Sequence, residues 1–168
     1  APNGKIYCMP SSSTQVLEID PVAKTTVLFG SLAGSFKWRG GALAPNGKIY
    51  GIPYSGEQVL EIDPVAQTTT LFGSLPGTAK WSGGVITPDG KICGIPFNST
   101  QVLKIDPVNH TTELLGSLTG TLKWQGGTLA PNGKIYAAPY SSGKVLEIDP
   151  GSNMTSPYAA LSRYINKF

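Results

Sequence analysis

The heptapeptide Ala-Pro-Asn-Gly-Lys-Ile-Tyr occurs at Ala1–Tyr7 and again at Ala44–Tyr50, which sets a period of 43 residues for the chain. Thr-Pro-Asp-Gly-Lys-Ile-Cys begins at Thr87 and a further copy at Ala130, so the spacing holds three times without insertion or deletion. Such self-similarity marks an array of small supersecondary units, each unable to bury its apolar face without a neighbour. The units are 1–43, 44–86, 87–129 and a partial 130–150, followed by a tail, 151–168, of different character.

Within residues 81–116, four β-like runs are separated by turn signals. Trp81–Thr87 leads into Pro88-Asp89-Gly90, where glycine supplies φ > 0. Lys91–Pro96 follows, then the polar loop Phe97–Thr100. Gln101–Asp106 alternates polar with apolar, so Leu103 and Ile105 share a strand face. Asp106-Pro107 makes the next turn, and Thr111–Leu115 the last strand. Only 14% of the 168 residues are charged, while 21 Gly and 14 Pro punctuate the chain, which excludes a coiled coil or helical bundle. No apolar run is long enough for a spanning helix. The net charge of +3 is spread along the chain and forms no basic stripe for nucleic acid.

Four strands per 43 residues match one blade of a β-propeller, an all-β fold of radially arranged antiparallel sheets. With strands named A to D outward from the axis, Gly40-Gly41, Gly83-Gly84 and Gly126-Gly127 fall on the innermost strands, where backbones crowd together. Pro-Asn-Gly-Lys-Ile-Tyr-Gly-Ile-Pro at Pro45–Pro53, Gln-Val-Leu-Glu-Ile-Asp-Pro at Gln58–Pro64 and Lys-Trp-x-Gly-Gly at 37–41, 80–84 and 123–127 resemble the repeats of the broad NHL and YVTN-like superfamily. The resemblance covers residues 1 to about 150 and implies a propeller; members include both binding platforms and enzymes, so it leaves function open.

The first unit has strands B, C and D, and the fourth has A, B and C with no recognisable D. Open blade ends expose strand edges, which predicts self-association, docking to further blades of a longer ring, or a docked terminal segment. The tail predicts a helix: Ser156 as N-cap, Pro157 at the first position, and Tyr158, Leu161, Ile165 and Phe168 at spacings of three and four, with Arg163 and Lys167 near the C-terminal end. A chain that starts at Ala1 without an initiator methionine reads as processed or excised.

Catalytic groups are sparse. The single histidine, His110, occupies a turn position held by Lys24 and Gln67 in other units and reads as a solvated loop residue. It offers neither an imidazole metal cluster nor a triad. Asp20, Asp63, Asp106 and Asp149 all precede proline in the same turn, and Glu18, Glu61 and Glu147 recur on strand C, with Lys104 in the remaining copy. Lactonase-like propellers place carboxylate and amide metal ligands around the channel, whereas the inner strands here carry mainly Gly, Ala, Leu, Val, Ile and Thr. The expectation is no enzyme, no metal and no cofactor. Cys8 and Cys93 fall in different blades, beyond disulfide reach, and read as free buried thiols. Acceptor sequons at Asn98, Asn109 and Asn153 favour an extracellular or secreted setting.

The candidate ligand-binding residues are Lys37, Trp38 and Tyr54; Lys80, Trp81, Phe97 and Asn98; and Lys123, Trp124 and Tyr140. In a propeller the D–A and B–C loops share a face, so each set forms an equivalent pocket of indole, lysine and loop hydroxyls, tuned by the variable Arg39, Ser82 and Gln125. The competing reading is that the three indoles wedge adjacent blades together. These features point to a non-catalytic, multivalent module that recognises a glycan or a protein surface, with neither nucleic acid nor a membrane span involved. A self-assembling coat, fibre or matrix subunit is the alternative, and a lyase or lactonase the third reading.

Overall fold

The computed structural model describes residues 1–160, all of whose regular structure is β. Blade one is three-stranded: β1 (Ile6–Cys8), β2 (Val16–Asp20) and β3 (Thr25–Phe29). Blade two comprises β4 (Trp38–Leu43), β5 (Ile49–Pro53), β6 (Val59–Asp63) and β7 (Thr68–Phe72). Blade three comprises β8 (Trp81–Ile86), β9 (Ile92–Pro96), β10 (Val102–Asp106) and β11 (Thr111–Leu115). Blade four comprises β12 (Trp124–Leu129), β13 (Ile135–Pro139), β14 (Lys144–Asp149) and β15 (Met154–Ala160). Every sheet is an antiparallel meander in chain order, and the blades stack side by side as an arc of a propeller.

The innermost strands β4, β8 and β12 touch through glycine. A Cβ on Gly40 would lie 2.9 Å from the Gly83 Cα, and one on Gly83 would lie 3.0 Å from the Gly126 Cα. All three have positive φ, and each strand carries a register shift between its tryptophan and its second glycine. This bulge lets the backbone turn toward the axis while the tryptophan keeps its place.

Interior blades are covered on both faces, so their middle strands do not alternate between buried and exposed. In β6, Val59, Leu60, Glu61 and Ile62 are all buried. Leu103 and Ile105 of β10 pack with Tyr50, Ile52 and Val59 of blade two, whereas Val102 packs with Trp124 and Ile135 of blade four. Each aliphatic side chain buried this way contributes roughly 1.5–3 kcal/mol relative to exposure.

Two tail expectations are corrected. Residues 156–160, placed at the start of a helix, belong to β15, which pairs with β14 through Leu146↔Pro157 and Ile148↔Thr155. The fourth unit therefore has its D strand. Proline is tolerated there because β15 is an outermost strand. Leu161, Ile165 and Phe168 lie outside the described residues. Cys8 and Cys93 are both free, as expected, but Cys8 is exposed. It sits on the face of blade one turned away from blade two, opposite Tyr7, which reaches Pro64 O.

Candidate functional site

Each lysine of the Lys-Trp pair follows a residue in the left-handed region, Phe36, Ala79 or Leu122, which swings the lysine beneath the loop face. There its backbone joins a zigzag of hydrogen bonds across the blades. Lys37 N donates to Ser11 O (2.9 Å), Tyr54 N to Lys37 O (2.8 Å), Lys80 N to Tyr54 O (2.8 Å), Phe97 N to Lys80 O (2.8 Å), Lys123 N to Phe97 O (2.9 Å) and Tyr140 N to Lys123 O (2.8 Å). Sequence reasoning missed this belt, because backbone groups leave no residue-type signal.

The lysine side chains are buried in the same region. Lys80 Nζ donates to Gly56 O (2.9 Å), Gly77 O (2.7 Å) and Tyr54 O (3.3 Å), and Lys123 Nζ to Ser99 O (2.7 Å), Gly120 O (2.8 Å) and Phe97 O (3.4 Å). Lys37 Nζ donates to Ser13 O (2.9 Å) and Gly34 O (2.7 Å). Desolvation lowers the pKa of all three from the ordinary lysine value. The ammonium groups therefore cross-link one blade's B–C loop to the next blade's D–A loop. Carbonyls engage two donors of Lys37 and three each of Lys80 and Lys123, the lysines expected from the sequence to donate to a ligand.

Trp38, Trp81 and Trp124 are likewise buried, and their indole N–H groups donate to Gln58 O (2.8 Å), Gln101 O (2.8 Å) and Lys144 O (2.7 Å). Each ring also lies 5.6–5.9 Å from its neighbouring lysine Nζ. The wedge reading of the tryptophans fits this geometry. Asn98 Oδ1 accepts from Leu122 N (2.8 Å) and holds the next loop. Two equivalent clefts do open beside these groups. One of about 380 Å³ is lined by residues including Pro76, Lys80, Trp81, Asn98 and Ser99, and one of about 430 Å³ by Leu118, Trp124, Ser142 and Pro157.

The remaining candidates converge differently. Tyr54, Phe97 and Tyr140 come from three successive blades and form a row, with ring centroids 5.9 Å apart for the first pair and 5.5 Å for the second. The Arg39 guanidinium lies 5.2 Å from the Tyr54 ring and 5.8 Å from the Phe97 ring. Arg39 and Gln125 are exposed, Tyr140 is 61% exposed, and Phe97 is buried between its neighbours. The row thus presents one cation and graded aromatic surface at the inner rim of the loop face.

On the opposite rim, Tyr50 Oη hydrogen-bonds both Glu61 Oε2 (2.8 Å) and Pro107 O of the next blade (3.2 Å), as Tyr7 does with Glu18 and Pro64. Burial, ahead of any other cause, pushes the Tyr50 phenol up from its ordinary pKa. Burial also opposes ionisation of Glu61, but bonds from Lys48, Tyr50 and His110 outweigh it and hold the carboxyl below its ordinary value. His110 is not an idle loop residue: its Nε2 lies 2.7 Å from Glu61 Oε2, and its ring stacks on Phe72 at 4.7 Å. Blade three departs from this pattern. Cys93, Lys104 and Asp89 replace Tyr, Glu and Asn, and Lys91 pairs with Asp106 instead. Burial raises the Cys93 thiol to about 12, so it is an inert filler. Among the described residues no cluster of three or more His, Cys, Asp or Glu is arranged to hold a metal ion.

Neither a protein-family model nor any curated protein sequence matches the chain. Solved structures do. Virginiamycin B lyase from Staphylococcus aureus superposes with a TM-score of 0.79 at 13% identity, covering 93% of this chain and 52% of the lyase chain. Hydrazine synthase of Kuenenia stuttgartiensis gives 0.68 at 18% identity, over 92% of this chain and 46% of that one. The extracellular domain assigned to a one-component system of B. thetaiotaomicron gives 0.71 at 10% identity, over 93% of this chain and 22% of that one. The chain spans about half the length of the lyase it matches. These likenesses establish the β-propeller fold, and at such identities they establish the fold alone.

Proposed function

We propose that this propeller arc is a non-catalytic recognition module whose ligand-facing surface is the Arg39–Tyr54–Phe97–Tyr140 row, and that its ligand is a glycan. The observation that carries this reading is the alignment of three rings from three blades beneath one exposed guanidinium. Aromatic faces stack on the apolar faces of sugar rings, and Arg39 and Gln125 supply hydrogen-bond donors beside them. The Lys-Trp pairs support the row by fixing the loops from which its rings project. An extracellular setting agrees with this reading and with the surface domain among the structural neighbours. Kinship with NHL and YVTN-like repeats rests on the Pro-Asn-Gly-Lys-Ile-Tyr-Gly-Ile-Pro motif and belongs to the same proposal.

A glycan array probed with the parent chain and with Arg39→Ala and Tyr140→Ala variants tests it. Specific binding by the parent, weakened roughly tenfold or more in both variants, is the expected outcome, since truncating an aromatic or arginine anchor removes most of a small interface's energy. Absence of any glycan ligand, or equal binding by all three proteins, overturns it.

A further inference from the structure

Beneath the loop face lie cations that no carboxylate neutralises. Lys37, Lys80 and Lys123 are buried, every hydrogen-bond partner of their ammonium groups is a carbonyl, and among the described residues none of the three is in an ion pair. Two of them hold the aromatic row itself: Lys80 Nζ donates to Tyr54 O and Lys123 Nζ to Phe97 O. At the surface Arg39 adds another cation. Its guanidinium lies against the Tyr54 and Phe97 rings, and no hydrogen bond or ion pair among the described residues engages it.

The acids lie elsewhere. Of the ten in the chain, only Glu57 falls in the loops of this face, where its charge acts on Lys80. The other nine lie on β2, β6, β10, β11 and β14 or, for Asp89, in the turn before β9 on the opposite rim. Charge is thus segregated across the blades, and the positive field of the loop face is left largely uncancelled. Buried charges are also screened by salt much less than exposed ones, so this field reaches a ligand on the row.

The polar groups beside the rings select in the same direction. Sugar hydroxyls donate as well as accept, so a site for a neutral sugar needs strong acceptors, and carboxylates are the usual ones. The row instead offers a guanidinium, which only donates, and the exposed Gln125 amide. A guanidinium fork matches a carboxylate through two parallel hydrogen bonds. Of the equivalent positions Arg39, Ser82 and Gln125, only the first is charged, so the row accommodates one carboxylate.

We infer that the glycan read by this row is acidic: a uronate-bearing chain whose carboxylate pairs with Arg39 while neighbouring sugar faces stack on Tyr54 and Tyr140. This rests on the reading of the row as a glycan site and names the class of glycan it takes.

Titration calorimetry with oligogalacturonate and oligomannuronate, each as the free acid and as its methyl ester, tests it on the parent, Arg39→Ala and Arg39→Lys chains, with circular dichroism confirming that each folds. Esterification removes the charge and keeps the sugar. The parent is expected to bind at least one free acid roughly tenfold or more tighter than its ester. In Arg39→Ala that preference disappears, leaving acid and ester equally weak, and Arg39→Lys restores part of it, because lysine keeps the charge without the fork. Raising salt above about 0.15 M weakens binding of the acid and leaves the ester unaffected. Equal binding of acid and ester by the parent, a preference that survives in Arg39→Ala, or binding of a neutral glycan with neither uronate bound overturns the inference and leaves the glycan reading standing. Absence of any glycan ligand, or a single-stranded oligonucleotide bound in place of one, overturns both.

Discussion

Lys80 shows how a residue that looks like a ligand-binding donor can be an internal fastener. Its ammonium satisfies three carbonyls from two loops while buried, and replacing it with Met would leave Gly56 O and Gly77 O without partners, while Tyr54 O keeps the Lys80 backbone N–H. Lys80→Met is therefore expected to lower stability by about 2–4 kcal/mol, read from the urea midpoint, because each buried acceptor stripped of its donor costs about 1–3 kcal/mol and the apolar stem is kept. Arg39→Ala, on the exposed rim, should change stability by no more than about 0.5 kcal/mol. The acids give a second residue-scale expectation. Glu18, Glu61, Asp63, Asp106 and Asp149 all have folded pKa values held below their ordinary ones, by side-chain bonds in Glu18, Glu61 and Asp106 and by backbone N–H groups in Asp63 and Asp149. On acidification the unfolded chain binds protons first. The stabilisation is thus complete above the ordinary carboxylate range and declines as pH falls through about 4 and below. Urea midpoints should be flat from pH 7 to about 5.5 and drop steeply by pH 3; a midpoint that rises on acidification would contradict the assignment.

At the scale of the element, the inner strands give an internal control. Gly83→Ala would force a Cβ within 3.0 Å of the Gly126 backbone at a φ of 88°, whereas Gly126→Ala carries only the backbone strain of its positive φ. The first substitution is expected to cost about 3 kcal/mol or more and the second about 1–2 kcal/mol, compared by thermal or urea unfolding. Equal losses would show that close approach between strands is not what selects glycine. The strands themselves were legible in the sequence: runs such as Gln58–Asp63, between the Ser55-Gly56 loop and the Asp63-Pro64 turn, announce β structure, and the Gly-Gly pairs announce an inner position. The last strand was not. Met154–Tyr158 lacks the Thr-Thr-x-Leu pattern of its counterparts, and Ser156-Pro157 mimics a helix start. The turn before it was the better guide, since the Asp149 carboxylate accepts from Gly151 N and Ser152 N just as Asp20 accepts from Val22 N and Ala23 N.

Across the whole molecule, stability is a chain of nearest-neighbour interfaces, as in other repeat proteins. Among the described residues, blades two and three are covered on both sides, and blades one and four on one side only. Amide hydrogen exchange should therefore be slowest in β5, β6, β9 and β10 and fastest in β1 and β15. Uniform protection in all blades would indicate a single cooperative unit. The 43-residue period alone determined the fold class, because a repeat that places Gly-Gly, Asn-Gly and Asp-Pro at fixed offsets admits few architectures other than stacked four-stranded sheets. Whether Lys80 faces a ligand or a carbonyl, and whether His110 is idle or braced against Glu61, were decided only when neighbouring blades came together. A single sequence records what each residue can donate, accept or bury, whereas the partner it finds lies on the neighbouring blade, 24 to 49 positions away in these cases.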